Sequence, residues 1–196
     1  MRPLACLLAS AAVLAVATPA DAKPKKKYHF ALDEVRAGKD VTADLATEVV
    51  PRLEAQAEKL LGGNPQIVVN ISDAPDPEKD APGFTKYLAK KKIEGAYKVT
   101  IEITAATEEL EPVEAKPNTQ RISVHLEVHM FGEAMPTRKM GFYGDGSSTI
   151  KMEIGKKLRP KDRDAAWDDA ASEALTKAID ESLTKLSLPP PKPTRK

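Results

Sequence analysis

The sequence predicts an α+β fold, in which an antiparallel-rich mixed sheet of about five to six strands carries helices packed on one face. Two patterns predict it. In segments 97–104 and 122–130, apolar and polar residues alternate, which is the period of a strand with one buried side. In segments 42–61 and 161–186, apolar residues recur every three or four positions, which indicates a helix with one buried stripe. Along the chain the elements follow the order β-α-β-α-β-β-β-α.

The first half of the chain contains two strands and two helices. Residues 28–35 predict the first strand, and the helix over 42–61 ends before Gly62, since glycine tolerates the backbone beyond a helix end. Pro51 lies inside this helix and removes a backbone donor, so it either kinks the helix or splits it in two. A short strand over 66–71, a proline-rich loop over 73–82 and a second helix over 84–93 follow.

The two alternating segments form the centre of the predicted sheet. The side chains expected to face the helices are Tyr97, Val99, Ile101 and Ile103, then Ile122, Val124, Leu126, Val128 and Met130. Those expected to face solvent are Lys98, Thr100, Glu102 and Thr104, then Ser123, His125, Glu127 and His129. Residues 107–119 are acidic and contain two prolines, so they predict an exposed connection between the strands.

The last third predicts a hairpin and a long helix. Asp145-Gly146 predicts a tight turn between strands over 138–144 and 148–154, because both residue types accept a positive φ. The glycines around it also suggest a phosphate loop, but a strand follows them where such a loop needs a helix, which favours the hairpin. The helix over 161–186 carries an alanine-rich stripe. Trp167 lies on that stripe, which favours core packing over a role as a partner-binding anchor.

Residues 1–22 predict a signal peptide. Arg2 supplies a positive start, Leu4–Ala17 an apolar stretch and Ala20–Ala22 a small-x-small motif, with cleavage after Ala22. No later segment reaches the roughly 18 consecutive apolar residues of a membrane span. We therefore expect a periplasmic or secreted protein with no transmembrane segment after cleavage. The only cysteine, Cys6, lies within the signal, so the exported chain has no disulfide and no thiol nucleophile.

The exported chain divides into three predicted parts. Residues 23–27 form a basic linker, residues 28–186 a single α+β domain, and residues 187–196 a proline-rich, basic, disordered tail. The sequence has a formal net charge of +1, which gives no argument for a nucleic-acid partner. The basic ends could contact anionic lipid or polymer, although exposed charge runs are usually only solvated.

Three features together resemble one group of bacterial envelope domains. Residues 92–97 precede a strand, residues 122–131 form the next strand, and Gly144-Asp145-Gly146 leads towards an alanine-rich helix. This order resembles the TolB amino-terminal domain, the lipoprotein activators of penicillin-binding proteins and the curli-secretion channel lipoproteins. The resemblance implies an envelope accessory protein that binds partners and shares no catalytic residues with its relatives. The chain departs from that group in having no lipid-attachment motif and no second domain such as a propeller.

The sequence His125-x-Glu127-x-His129 is the main candidate for site chemistry. At about 3.3 Å per residue, side chains two apart on a strand lie about 7 Å apart, whereas the two histidines lie about 13 Å apart. One zinc ion could therefore use Glu127 with one histidine, plus a third ligand from Glu102 or elsewhere. The alternative is a polar sheet face, which the alternating pattern requires in any case.

The function expected from the sequence is that of an exported, non-catalytic binding or adaptor domain of the bacterial cell envelope. There is no G-x-S-x-G elbow and no converging carboxylate pair, so we expect no catalytic residue and no cofactor. The expected partner is an envelope protein or a cell-wall polymer. The expected partner-binding face consists of Lys98, Thr100, Glu102, His125, Glu127 and His129. The alternative is a metal-binding or metal-dependent periplasmic protein that uses His125, Glu127 and His129 to hold zinc. A hydrolase with dispersed site residues also stays open.

Overall fold

The structure, a computed structural model, describes residues 26–188. The predicted signal peptide, most of the predicted basic linker and residues 189–196 of the predicted tail lie outside the described residues. The elements are β1 (Lys27–Ala37), α1 (Ala43–Gly63), β2 (Ile67–Val68), α2 (Ala81–Lys90), β3 (Ile93–Pro112), β4 (Gln120–Ala134), β5 (Lys139–Ile154) and α3 (Pro160–Ser187). This is the predicted element order, and the α+β prediction is confirmed.

The five strands form one mixed sheet in the spatial order β2-β1-β3-β4-β5. β1 runs parallel to both β2 and β3, and β3, β4 and β5 form an antiparallel meander. In β4 the predicted alternation holds throughout, because Ile122, Val124 and Leu126 are fully buried while their neighbours reach solvent. The sheet therefore has one covered face and one face that is open over most of β3, β4 and β5.

The two long helices, α1 and α3, cover one face of the sheet. Trp167 of α3 is fully buried, and Leu53 and Leu61 of α1 belong to the same hydrophobic cluster. Pro51 lies within α1 without breaking it. It is on the exposed side of the helix, where the loss of a backbone N–H donor is tolerated. The short helix α2 packs on the opposite face at the start of β3, where Phe84 forms a separate small cluster with Ala96.

The predicted hairpin turn at Asp145-Gly146 is wrong. β5 runs without interruption through both residues, and the turn between β4 and β5 lies at residues 135–138, where Arg138 has a φ of 53°. The glycines serve a different purpose, because α3 lies directly against the backbone of β5. A Cβ atom at Gly144 would overlap the Ala178 carbonyl, and one at Gly146 would overlap the Ala174 carbonyl.

The predicted exposed connection over 107–119 is wrong for its first half. β3 continues to Pro112, and only residues 113–119 connect it to β4. A bulge explains the missed strand, since Ile103 pairs with Val128 and Ala105 with Glu127, which leaves Thr104 unpaired. Beyond the bulge the alternation changes phase, so that Glu108 faces the helices.

The strand predicted over 66–71 is shorter in the structure. β2 contains only Ile67 and Val68, and Val69 is exposed, so the segment is less buried than its apolar composition indicates. The second helix begins earlier than predicted, at Ala81. Its start is fixed by Asp80, whose carboxylate accepts a hydrogen bond of 2.9 Å from the Gly83 amide. Among residues 26–188, none of the helices has both the length and the apolar character needed to span a bilayer.

Candidate functional site

The polar side of β4 lies at the middle of the open face. β4 is paired with β3 on one side and with β5 on the other, so its backbone is held rigidly and its alternate side chains project from a fixed plane. His125, Glu127 and His129 have side chains that are 35%, 49% and 55% exposed. The structure thus places all three on the face where the sequence predicts them.

His125 is the centre of a three-residue hydrogen-bond relay. Its Nε2 lies 3.2 Å from Oε1 of Glu127, and its Nδ1 lies 2.9 Å from Oγ1 of Thr149 on β5. Because a carboxylate only accepts, the neutral ring donates from Nε2 and its Nδ1 accepts the Thr149 hydroxyl hydrogen. Both ring nitrogens are therefore already used within the sheet.

His129 has a different environment, with one nitrogen engaged and one free. Its Nδ1 donates to Oδ1 of Asp145, the residue directly opposite on β5. Asp145 is itself fixed from α3, because its backbone amide donates to Glu181 across 2.6 Å. Hydrogen bonds from Lys185 and from the Asp145 amide lower the pKa of Glu181. In the neutral tautomer that this contact requires, Nε2 carries a lone pair with no hydrogen-bond partner among the described residues, as in histidines whose other nitrogen is held by a carboxylate in metal sites.

The β3 members of the predicted face are largely engaged with β1. Glu102 lies opposite His129, but its carboxylate accepts two hydrogen bonds from Arg36, at 2.9 and 2.7 Å. Lys98 forms an ion pair of 3.0 Å with Asp33. Thr100 is partly exposed and lies opposite Phe131 of β4. The Arg36 contact directs the Glu102 carboxylate away from a role as the third metal ligand.

A shallow cavity of about 300 Å³ adjoins His129 at the edge of the sheet. Its lining consists of Thr104, Glu127, Val128, His129, Asp145, Gly146, Ser147 and Lys177. Lys177 reaches it from α3 and donates to the Ser147 carbonyl across 2.9 Å. Within residues 26–188, no three histidine, cysteine, aspartate or glutamate side chains are grouped closely enough to hold a metal ion. The arrangement around His129 and Glu127 supplies two ligands.

The Thr149–His125–Glu127 relay has the hydrogen-bond order of a nucleophile, a base and a carboxylate, yet it lacks the other parts of such a site. Neither Thr149 nor His125 lines the adjacent cavity. The amides of β4 are committed to its two neighbouring strands, so they do not converge as an oxyanion hole would require. This geometry suits hydrogen bonding better than acyl transfer.

Two residues of this site, Asp145 and Thr149, were not found from the sequence. The sequence pattern predicts a turn at Asp145, which hides its register opposite His129, and it predicts a strand at Thr149 without a role for its side chain. Pairing β4 with β5 in the correct register would find both, because His125 then lies opposite Thr149 and His129 opposite Asp145. Trp167 lies in the core as predicted, and its Nε1 donates to Glu108 across 2.7 Å.

Comparison with known proteins gives structural neighbours only. The sequence matches no protein-family model and no curated protein. Among solved structures, a Xanthomonas campestris protein is 12% identical over 86% of this chain and 91% of its own, with a TM-score of 0.44. A minor lipoprotein from Acinetobacter baumannii is 10% identical over 82% and 92%, with a TM-score of 0.38. The rare lipoprotein B from Shewanella oneidensis is 9% identical over 78% and 91%, with a TM-score of 0.36.

Proposed function

We propose that the protein is an exported, non-catalytic binding domain of the cell envelope, and that it contacts an envelope protein or a cell-wall polymer through the open face of its sheet. The observation that carries the proposal is the asymmetry of β4, whose one side is sealed by α3 while the other presents polar groups from a rigid plane. Export is supported by the predicted signal peptide in residues 1–22.

The charged groups of this face can exchange their present ion pairs for contacts with a binding partner. The pairs Arg36–Glu102 and Lys98–Asp33 lie at the surface with substantially exposed side chains. Exposed ion pairs contribute little net free energy, so an incoming partner can replace them at small cost. The exposed Tyr143 ring, which lies under the Lys185 ammonium at 3.3 Å, adds an aromatic contact at the edge of the same face.

Site-specific crosslinking tests this proposal. A photoreactive residue is introduced at Thr100 on the open face or, as the matched control, at Thr184 on the exposed side of α3. The protein is expressed from its complete sequence in the source cell. We expect crosslinks to one envelope component from position 100 and none from position 184. We further expect Glu127→Lys to abolish these crosslinks, with Glu54→Lys on α1 as the charge-matched control. Equal crosslinking from both positions, or none from position 100, contradicts the proposal.

The alternative function is zinc binding, and it is favoured by one specific contact. Because Asp145 holds Nδ1 of His129, the Nε2 lone pair is free, and the Glu127 carboxylate neighbours it on the same strand face. Titration of zinc into the metal-free protein tests it, with bound zinc measured by elemental analysis. We expect His129→Gln to remove binding and His125→Gln to retain it, since both nitrogens of His125 are already engaged. Absence of stoichiometric zinc from the unaltered protein contradicts this alternative.

A further inference from the structure

A basic cleft lies at the opposite end of β3 from the β3–β4 connection. It has a volume of about 700 Å³ and is formed by the start of β1, the last turn of α2 and the start of β3. Its lining consists of Lys26, Lys27, Thr85, Leu88, Ala89, Lys91, Lys92, Ile93 and Glu94. A second cleft of about 430 Å³ shares Lys27, Lys91 and Ile93 with it. Four lysines therefore surround one concave surface.

The charge of this cleft is unbalanced. All four lysines are exposed, and none of them forms an ion pair with a carboxylate in the part of the chain that the structure describes. Glu94 is the one carboxylate in the lining of the larger cleft, and Asp73 lines the smaller one, so the four lysines outnumber the carboxylates. The open face of the sheet differs in this respect, because Lys98 and Arg36 there are each paired. The cleft therefore favours an anionic ligand.

The floor of the cleft is apolar. Leu88 and Ile93 belong to the small hydrophobic cluster beneath α2, and the remaining exposed part of each side chain lines the cleft beside Ala89. Lysine stems can lie along such a floor while their ammonium groups remain in water. A ligand that is anionic at one end and apolar at the other fits this arrangement better than a uniformly hydrophilic polyanion.

Lys92 occupies a backbone position that costs free energy. It follows the end of α2 with a φ of 57°, and its amide donates to the Ala89 carbonyl across 3.1 Å. Helices that end in this way usually have glycine at this position, because a side chain is strained in the left-handed region. Lys92 thus places an ammonium group at the rim of the cleft, although glycine would be more stable at this backbone position.

We propose that this cleft binds the phosphate-bearing headgroup of an anionic phospholipid at a bilayer surface. The ammonium groups of Lys26, Lys27, Lys91 and Lys92 neutralise the phosphate, and the apolar floor receives the adjoining glycerol and upper acyl region. The site is separate from the open face of the sheet. It therefore stands or fails independently of the partner proposed for that face.

Vesicle co-sedimentation tests the proposal. The protein is expressed from its complete sequence, purified as the cell processes it, and mixed with vesicles of phosphatidylglycerol and phosphatidylcholine in equal parts, or of phosphatidylcholine alone. We expect binding to the anionic vesicles only, with affinity that falls as salt rises. Lys91→Gln with Lys92→Gln should weaken it about thirtyfold, from the typical contribution of a lysine near an anionic surface.

Two controls separate this site from general charge and from misfolding. Lys156→Gln with Lys157→Gln removes an equal charge beyond the end of β5, at the other end of the sheet, and should change binding less than about twofold. Lys92→Gly should weaken binding about fivefold without lowering the melting temperature, because glycine accepts the backbone that Lys92 strains. Equal losses from the two double variants, no binding to anionic vesicles, or equally tight binding of soluble polyphosphate would each overturn the proposal.

Discussion

The two sides of β4 show how one strand serves two purposes. On one side, Val124, Leu126 and Met130 have no exposed surface and pack against α3. On the other side, His125 and His129 remain about one-third to one-half exposed, and their hydrogen bonds go only to polar side chains of β4 and β5. The covered side supplies the packing that holds the strand in place. The open side is therefore free to vary its contacts without loss of the fold.

The two sides differ also in how closely their neighbours approach. On the covered side, α3 lies so close to β5 that a Cβ atom at Gly144 would overlap the Ser182 hydroxyl and the Ala178 carbonyl, and one at Gly146 would overlap the Ala174 backbone. On the open side, no described element lies over the centre of β3, β4 and β5. Substitutions should therefore have large effects on stability on the covered side and small ones on the open side.

The largest expected effect follows removal of the indole on the covered side. Trp167→Ala deletes a fully buried ring and leaves Glu108 without one of its donors. We expect a loss of about 3 to 5 kcal/mol in the free energy of unfolding, measured by urea denaturation. Tyr143→Ala on the open side should cost less than about 1 kcal/mol, since that ring is half exposed. Similar losses for the two variants would contradict the asymmetry.

The next effect comes from one methyl group at the contact between α3 and β5. Gly146→Ala places a Cβ atom against the Ala174 carbonyl, and we expect it to destabilise the protein by about 1 to 3 kcal/mol or more. Gly155→Ala is the matched control, because nothing lies within 4 Å of its added Cβ and its φ is not positive. It should stabilise the protein by about 0.4 to 1 kcal/mol. Thermal unfolding of both variants measures the predicted opposite signs.

The same glycines show where sequence reasoning succeeds and where it fails. The alternation in β4 and the helical stripe of α3 depend on nearest neighbours along the chain, and both were predicted correctly. Glycine at 144 and 146 depends on contacts with Ala178 and Ala174, which lie 34 and 28 residues further along the chain, and local patterns do not contain such contacts. The Asp145-Gly146 pair therefore predicted a turn, although close packing is the reason for the glycine.

For the candidate site, the residues of β4 could be predicted from the sequence, whereas their partners on β5 could not. The positions of His125, Glu127 and His129 on one face follow from strand period alone, and the structure has them there. Their partners Thr149 and Asp145 follow from the register of β4 against β5, which the wrong turn displaced. The acidic residues and prolines of 107–119 predict a connection at Glu108, and the bulge at Thr104 interrupts the two-residue period that would otherwise extend the strand to it.

Ion pairs should also couple more strongly on the covered side of the sheet than on the open side. Beneath α3, Glu108 lies 2.7 Å from Arg163 Nε, and Glu108 together with Glu48 raises the pKa of Arg163. A double-mutant cycle of Glu108→Gln and Arg163→Gln should give a coupling of about 1 to 2 kcal/mol. The same cycle on Glu102 and Arg36, on the open face, should give a coupling that high salt removes. A salt-insensitive Arg36–Glu102 coupling would contradict this interpretation.

The smallest expected effect is the pH dependence of stability that the buried His29 contributes. His29 points to the same side of the sheet as His125 and His129, but it is buried and its Nδ1 donates to the Val68 carbonyl across 2.6 Å. Burial lowers the pKa of His29 below its ordinary 6.5, and the Val68 hydrogen bond offsets this only in part. The unfolded chain therefore binds the proton more readily than the folded protein. Stability from this group is fully present above pH 6.5 and is lost as the pH falls from there through the lower folded-state pKa.

Urea denaturation across this range of pH tests the role of His29. We expect His29→Gln to flatten the decline in unfolding free energy below pH 6.5, because the variant has no group to protonate there. Thr107→Gln is the control, since it changes an exposed side chain of β3 that has no ionisable group, and it should leave the decline in place. A decline that persists unchanged in His29→Gln would mean that burial of this ring does not couple its protonation to folding.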